Sequence, residues 1–157
     1  MASEGQTAAD STAEAPWWAA YPEPRTTHLT RITKEELLDR MKNGERSGQK
    51  FVLVDVRRTD FEGGTIEGAV NLPAHSLYVT IPTHYAIFKA AGIKEVVFWC
   101  GSSSGRGPRS AGWFADHIES QGDSEMQSVV LDGGIKGWAR AGPEYVSRMW
   151  EYDAAKW

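Results

Sequence analysis

Three stretches of this sequence, residues 51–56, 95–100 and 128–131, are apolar at almost every position. A strand with one wet face alternates apolar and polar residues, so an unbroken run means that both faces are covered. Sheets covered on both faces are built from parallel strands, and parallel strands need long crossovers, usually helices. The intervening segments supply them. Thr33-Lys34-Glu35-Glu36 is a capping-box pattern, after which Leu37, Leu38 and Met41 share one helical face until the stop signal Asn43-Gly44. Tyr85 and Phe88 have helical spacing within residues 82–91, and Trp113, Phe114 and Ile118 within 109–120. A last helix is expected from Glu144 to about Ala155. The pattern predicts an α/β domain whose central, mostly parallel sheet is flanked by helices on both faces.

The 157 residues suit one such domain. The expected organisation is a disordered acidic tail (1–15), an aromatic and Pro-rich arm (16–31), the α/β domain (32–142) and a C-terminal helix packed on it (143–157). The arm either docks its rings on the body or trails as a flexible tail. With 17 Lys+Arg against 21 Asp+Glu the net charge is −4, which argues against nucleic acid as a partner. No stretch approaches the roughly 20 apolar residues of a membrane span, and no basic cluster precedes an apolar run as in a secretory leader. The expected setting is therefore reducing and cytoplasmic or nuclear, with no membrane contact. His28, His75, His84 and His117 lack metal-site spacing, so no metal is expected. Among the seven tryptophans, Trp113 and Trp138 read as core and Trp99 as a wall behind the loop described next. Trp17, Trp18, Trp150 and Trp157 lie near the ends, where they either clamp the domain or narrow a site.

Cys100 is the chain's one cysteine. It excludes an intramolecular disulfide and leaves a packing residue or a reactive thiol. Its surroundings favour the thiol. A buried strand ends at Cys100, a loop rich in glycine and serine follows, and Pro108 or Arg109 opens a helix. Gly101, Gly105 and Gly107 permit positive φ, so backbone N–H groups can point inward as a nest. The helix N-terminus adds donors and partial positive charge. Arg106 adds a planar guanidinium able to grip two oxygens of one anion. Such a field would lower the cysteine pKa and stabilise an oxyanion. Ser102, Ser103 and Ser104 keep the loop polar.

The stretch Cys100-Gly101-Ser102-Ser103-Ser104-Gly105-Arg106-Gly107-Pro108-Arg109 resembles the phosphatase signature of the rhodanese fold, as found in the mitotic-inducer dual-specificity phosphatases and the eukaryotic arsenate reductases. Val54-Asp55-Val56-Arg57, with residues 61–73, resembles the first rhodanese homology box. Residues 131–138, Leu-Asp-Gly-Gly-Ile-Lys-Gly-Trp, resemble the second. The resemblance implies a rhodanese-like fold with Cys100 as nucleophile, Arg106 as oxyanion ligand and residues 101–105 as amide cradle. It also implies Asp55 and Arg57 as internal supports. Arg109, three residues after Arg106, is read from its position as a residue that pairs with acidic groups or extends anion binding.

The sequence also departs from that pattern. Trp99 stands where those enzymes usually carry His. Gly105 stands where the mitotic phosphatases carry a proposed general acid, and Val56 stands where they carry a second, protective cysteine. Asp60, Glu62 and Asp132 are the candidates for a general acid. The resemblance therefore implies a cysteine-dependent phosphatase or arsenate reductase. Its substrate is a small oxyanion or a phosphoprotein. It needs no bound cofactor, but an arsenate reductase would need an external thiol such as glutathione, with glutaredoxin. A sulfurtransferase carrying a persulfide on Cys100 is the alternative, although such enzymes typically have one residue fewer between Cys and Arg. A non-catalytic binding module ranks last.

Overall fold

A computed structural model of the chain describes residues 15–157. The tail expected over 1–15 lies outside the described residues except for Ala15. Seven strands and five helices follow a short 3-10 turn at Trp17–Ala20. The strands are β1 (Thr30–Ile32), β2 (Phe51–Asp55), β3 (Thr65–Ile66), β4 (Val70–Asn71), β5 (Glu95–Trp99), β6 (Gln127–Leu131) and β7 (Met149–Trp150). The helices are α1 (Lys34–Lys42), α2 (Ala74–Ala90), α3 (Arg106–Ser120), α4 (Gly134–Ala139) and α5 (Pro143–Val146).

Five strands pair in the order β1-β6-β5-β2-β4, and every pairing is parallel. β3 and β7 form a separate antiparallel ribbon. The apolar runs at 51–56, 95–100 and 128–131 supply the three central strands, as their composition requires. Successive side chains on a strand face opposite ways, and here they sort into two cores. Val52, Val54, Val96, Phe98, Cys100 and Val130 pack with residues of α2 and α3. Phe51, Leu53, Val97, Trp99, Val129 and Leu131 pack on the other face with Leu37, Leu38 and Met41 of α1 and with Ile135 and Trp138 of α4. The α1 capping box is complete: Thr33 Oγ1 accepts from Glu36 N and Glu36 Oε2 accepts from Thr33 N, each at 3.1 Å.

Two helix expectations need correction. The helix placed at 82–91 begins at Ala74 and runs through Pro82. Ala74 N is anchored on Val56 O, which fixes the start of the helix eight residues before the proline. The C-terminal helix expected over 143–157 is replaced by α5, β7 and a 3-10 turn at Ala154–Lys156. Its carbonyls are claimed from outside. Trp138 Nε1 donates to Tyr145 O, and Glu67 N to Arg148 O, which draws the chain into the β3–β7 ribbon.

The arm is docked. Asp116 accepts from Arg25 N, Thr26 N and Thr26 Oγ1, and Trp113 Nε1 donates to Pro22 O. Gly112 makes room for it, since a Cβ there would lie 2.7 Å from Pro24 Cβ.

Candidate active site

Cys100 is the first residue beyond β5 and is 3% exposed. Its loop turns at Ser103, which takes φ 58°, whereas Gly101, Gly105 and Gly107 do not adopt positive φ. The expectation that the glycines supply the inversion is therefore corrected. A left-handed serine costs on the order of 1 kcal/mol or more and persists where its surroundings dictate it. Ser103 is buried with its Oγ unpartnered, while the hydroxyls of Ser102 and Ser104 bond each other at 2.7 Å. Glycine serves a steric purpose instead. At Gly134, φ 60°, a Cβ would lie 2.6 Å from the carbonyl oxygens of both Cys100 and Gly101. Ile135 N and Lys136 N donate to those same oxygens, so the start of α4 clips the loop in place.

α3 begins at Arg106, earlier than the Pro108 or Arg109 of the sequence reading, and its cap, Gly105, has no side chain to satisfy the first turn. The unpaired N–H groups there favour an anion. The Arg106 guanidinium reaches back across the loop, its Nη2 3.8 Å from a Cβ built on Gly101. It donates end-on to Asp60, Nη1 to Oδ1 at 2.7 Å and Nη2 to Oδ2 at 2.6 Å. This hydrogen bonding draws the Asp60 pKa from 3.8 down to about 2 and raises that of Arg106.

Asp55 and Arg57 form a buried ion pair at 2.8 Å, with side chains 0% and 2% exposed. Arg57 also donates to the carbonyls of Asp60, Glu62 and Gly64, and Thr65 Oγ1 donates to Asp55. The pair thus fastens the 58–64 loop that carries Asp60. Trp157 closes it from outside, donating Nε1 to Gly63 O at 2.8 Å, with the Arg57 guanidinium 5.8 Å from its ring centroid.

A pocket of about 280 Å³ opens over Cys100, lined by the loop, Asp60, Arg106, Arg109, Trp17, Trp18 and Lys136. Arg109 bonds Glu23 at 2.9 Å and lies over the Trp18 ring at 4.7 Å. Trp17 packs against His75 in a tilted pair, ring centroids 4.3 Å apart, and burial lowers the His75 pKa, helped by Arg58 and Arg106. The arm therefore clamps the domain and narrows the site at once. Lys136 is the lining residue that sequence reasoning missed. Its signal was its place in the second box, two residues beyond the glycine that meets Cys100 O. Trp99 does not line the pocket. It is fully buried in the opposite core with Nε1 unpartnered. Among the general-acid candidates, Glu62 and Asp132 lie outside the pocket, the latter paired with Arg31 at 2.8 Å. A larger groove of about 580 Å³ lies between the arm and α2 and α3, away from Cys100 and Arg106.

A thiol at the end of a parallel strand, a five-residue loop and an arginine opening the next helix define a thiol-centred anion-loop protein of the α/β class. The chain belongs to the rhodanese-like domain family, which matches residues 33–141. It is 27% identical over 114 residues to arsenical-resistance protein 2 of Saccharomyces cerevisiae, covering 68% of this chain and 85% of that protein. It is 31% identical over 104 residues to M-phase inducer phosphatase 2 of Mus musculus, covering 62% of this chain but only 18% of that protein. Among solved structures it is similar to the As-Sb reductase from Leishmania major, with TM-score 0.66, 26% identity and coverage of 73% and 79%. No helix among the described residues is long and apolar enough to cross a membrane.

Proposed function

We propose that the chain is a cysteine-dependent enzyme acting on a tetrahedral oxyanion, with arsenate reduction as the reaction its residues fit best. One observation carries this reading. The pocket over Cys100 joins the loop, the N-terminus of α3 and the Arg106 fork around one point, and Asp60 is the one carboxylate lining it among the described residues. Held at about 2, Asp60 carries no proton at neutral pH. A phosphate monoester needs its leaving alkoxide protonated, a contribution of about 10²–10⁴-fold. Arsenate brings its own proton on oxygen.

In this reading the Cys100 thiolate attacks arsenic, an As–S bond forms, and one As–O bond breaks. The departing oxygen carries arsenate's own proton and the one Cys100 gave up on becoming a thiolate, and leaves as water. Loop amides and Arg106 hold the remaining oxygens. Two external thiols of the glutathione class, with a glutaredoxin as the natural relay, then become one disulfide while arsenic falls from +5 to +3 and Cys100 is released. That requirement fits a reducing compartment, cytoplasmic or nuclear. The yeast and Leishmania relatives, named for arsenical resistance and As-Sb reduction, support the reading. Trp17 and Trp18 favour a second substrate, an aryl phosphate or a phosphoprotein side chain of that kind, whose leaving group needs less help.

The test compares arsenate with glutathione and glutaredoxin, an activated aryl phosphate, and thiosulfate with cyanide. Arsenate reduction should dominate and vanish in Cys100→Ser. Faster thiocyanate formation would overturn the reading in favour of a sulfurtransferase.

A further inference from the structure

Asp60 holds Arg106 in the way that the proposed function asks of a substrate: two oxygens of one anionic group accept from Nη1 and Nη2, at 2.7 and 2.6 Å. One guanidinium edge cannot serve two such anions. We propose that Asp60 is a specificity-determining residue: its carboxylate holds the anion-binding edge of Arg106, and a substrate enters only by exchanging with it. The inference rests on the oxyanion reading of the site.

The exchange selects by charge and shape. A planar monoanion such as acetate offers Arg106 two oxygens and one charge, no more than Asp60 already does. A tetrahedral dianion offers the same two oxygens, a second charge, and further oxygens for the α3 N-terminus and Lys136. Only the latter gains by entering. Asp60 is built for such an exchange. Its side chain is 47% exposed, so a displaced carboxylate rehydrates where it stands. Its backbone is held independently, by Arg57 Nη1 on Asp60 O at 3.2 Å, so a side-chain rotation suffices and the loop stays folded.

The experiment titrates inorganic phosphate and acetate calorimetrically into wild type, Asp60→Asn and Arg106→Lys at pH 7.5 and fixed ionic strength. Asn retains the Oδ1 that accepts from Arg58 N. Asp60→Asn should bind phosphate on the order of tenfold more tightly and gain measurable acetate binding, so that the preference for phosphate narrows. Equal or weaker phosphate binding in Asp60→Asn, with binding lost in Arg106→Lys, would sink the exchange but leave the oxyanion site standing, with Asp60 a positioning residue. Phosphate binding that is absent from both wild type and Asp60→Asn, or unchanged in Arg106→Lys, would overturn the oxyanion reading as well.

Discussion

Arg57 and Arg106 are the same side chain put to opposite uses. Arg57 is buried and spends its donors on Asp55 and three backbone carbonyls, so it is a structural rivet. Truncating Asp55 to Ala would strand a buried guanidinium, and the expected cost is about 3–5 kcal/mol in urea denaturation. Arg106 is a quarter exposed and pairs with Asp60 alone among the described residues. Arg106→Lys should barely move the denaturation midpoint while lowering kcat/KM for arsenate about 10²–10³-fold, because an ammonium cannot grip two oxygens at once. The Asp60 pair also sets a pH signature. Its folded pKa of about 2 lies below the ordinary 3.8, so its stabilisation is full above about pH 4 and fades as pH falls through about 2. The pair is half exposed and screened, and contributes under ~1 kcal/mol. Asp60→Asn should therefore be marginally less stable than wild type at pH 7, and the two urea midpoints should converge near pH 2. Gly134→Ala is the opposite case. A methyl group 2.6 Å from two carbonyl oxygens, on backbone at φ 60°, should lower stability by about 2–4 kcal/mol and impair the loop with it.

At the scale of elements, legibility in the sequence followed the range of the forces involved. The capping box of α1 and the three buried strands are local or compositional, and both could be read directly. Pro82 misled because a proline looks like a helix start, while the anchor at Ala74 N comes from Val56, far back in the chain. The last helix failed for a similar reason, since Trp138 and Glu67 compete for its carbonyls. Within the site, the order of Cys100, the loop and Arg106 was legible from spacing. Ser103 as the inverted residue, Lys136 at the rim and the engagement of Arg106 by Asp60 were not, because each depends on contacts between distant segments. The arm is the element to test separately. Gly112→Ala replaces a poor helix former by the best one, worth about 1 kcal/mol to an isolated helix, yet it drives a methyl into Pro24. The expected outcome is a loosened arm. Limited proteolysis within residues 16–26 should accelerate, and the KM for any oxyanion should change because Trp17 and Trp18 leave their places.

Across the whole molecule, the sheet separates two cores, and the reactive residue belongs to one of them. Cys100 packs with α2 and α3, while Trp99, its immediate neighbour, packs with α1 and α4. Side-chain changes on the α1 side thus reach the site through the backbone and through the α4 clip at Gly134. The parts of the chain outside the sheet converge on the same rim. Trp157 fastens the loop that carries Asp60, and the arm supplies two indoles to the pocket that Asp60 shares. Those indoles have an optical consequence. The Trp18 ring centroid lies 4.7 Å from the Arg109 guanidinium, and Trp17 packs against the His75 imidazole, whose pKa is lowered by burial and then by Arg58 and Arg106. An anion that rearranges these cations alters the local field on two fluorophores at once, so the pocket carries its own dye, and its occupancy can be followed in the ultraviolet without labelling the chain.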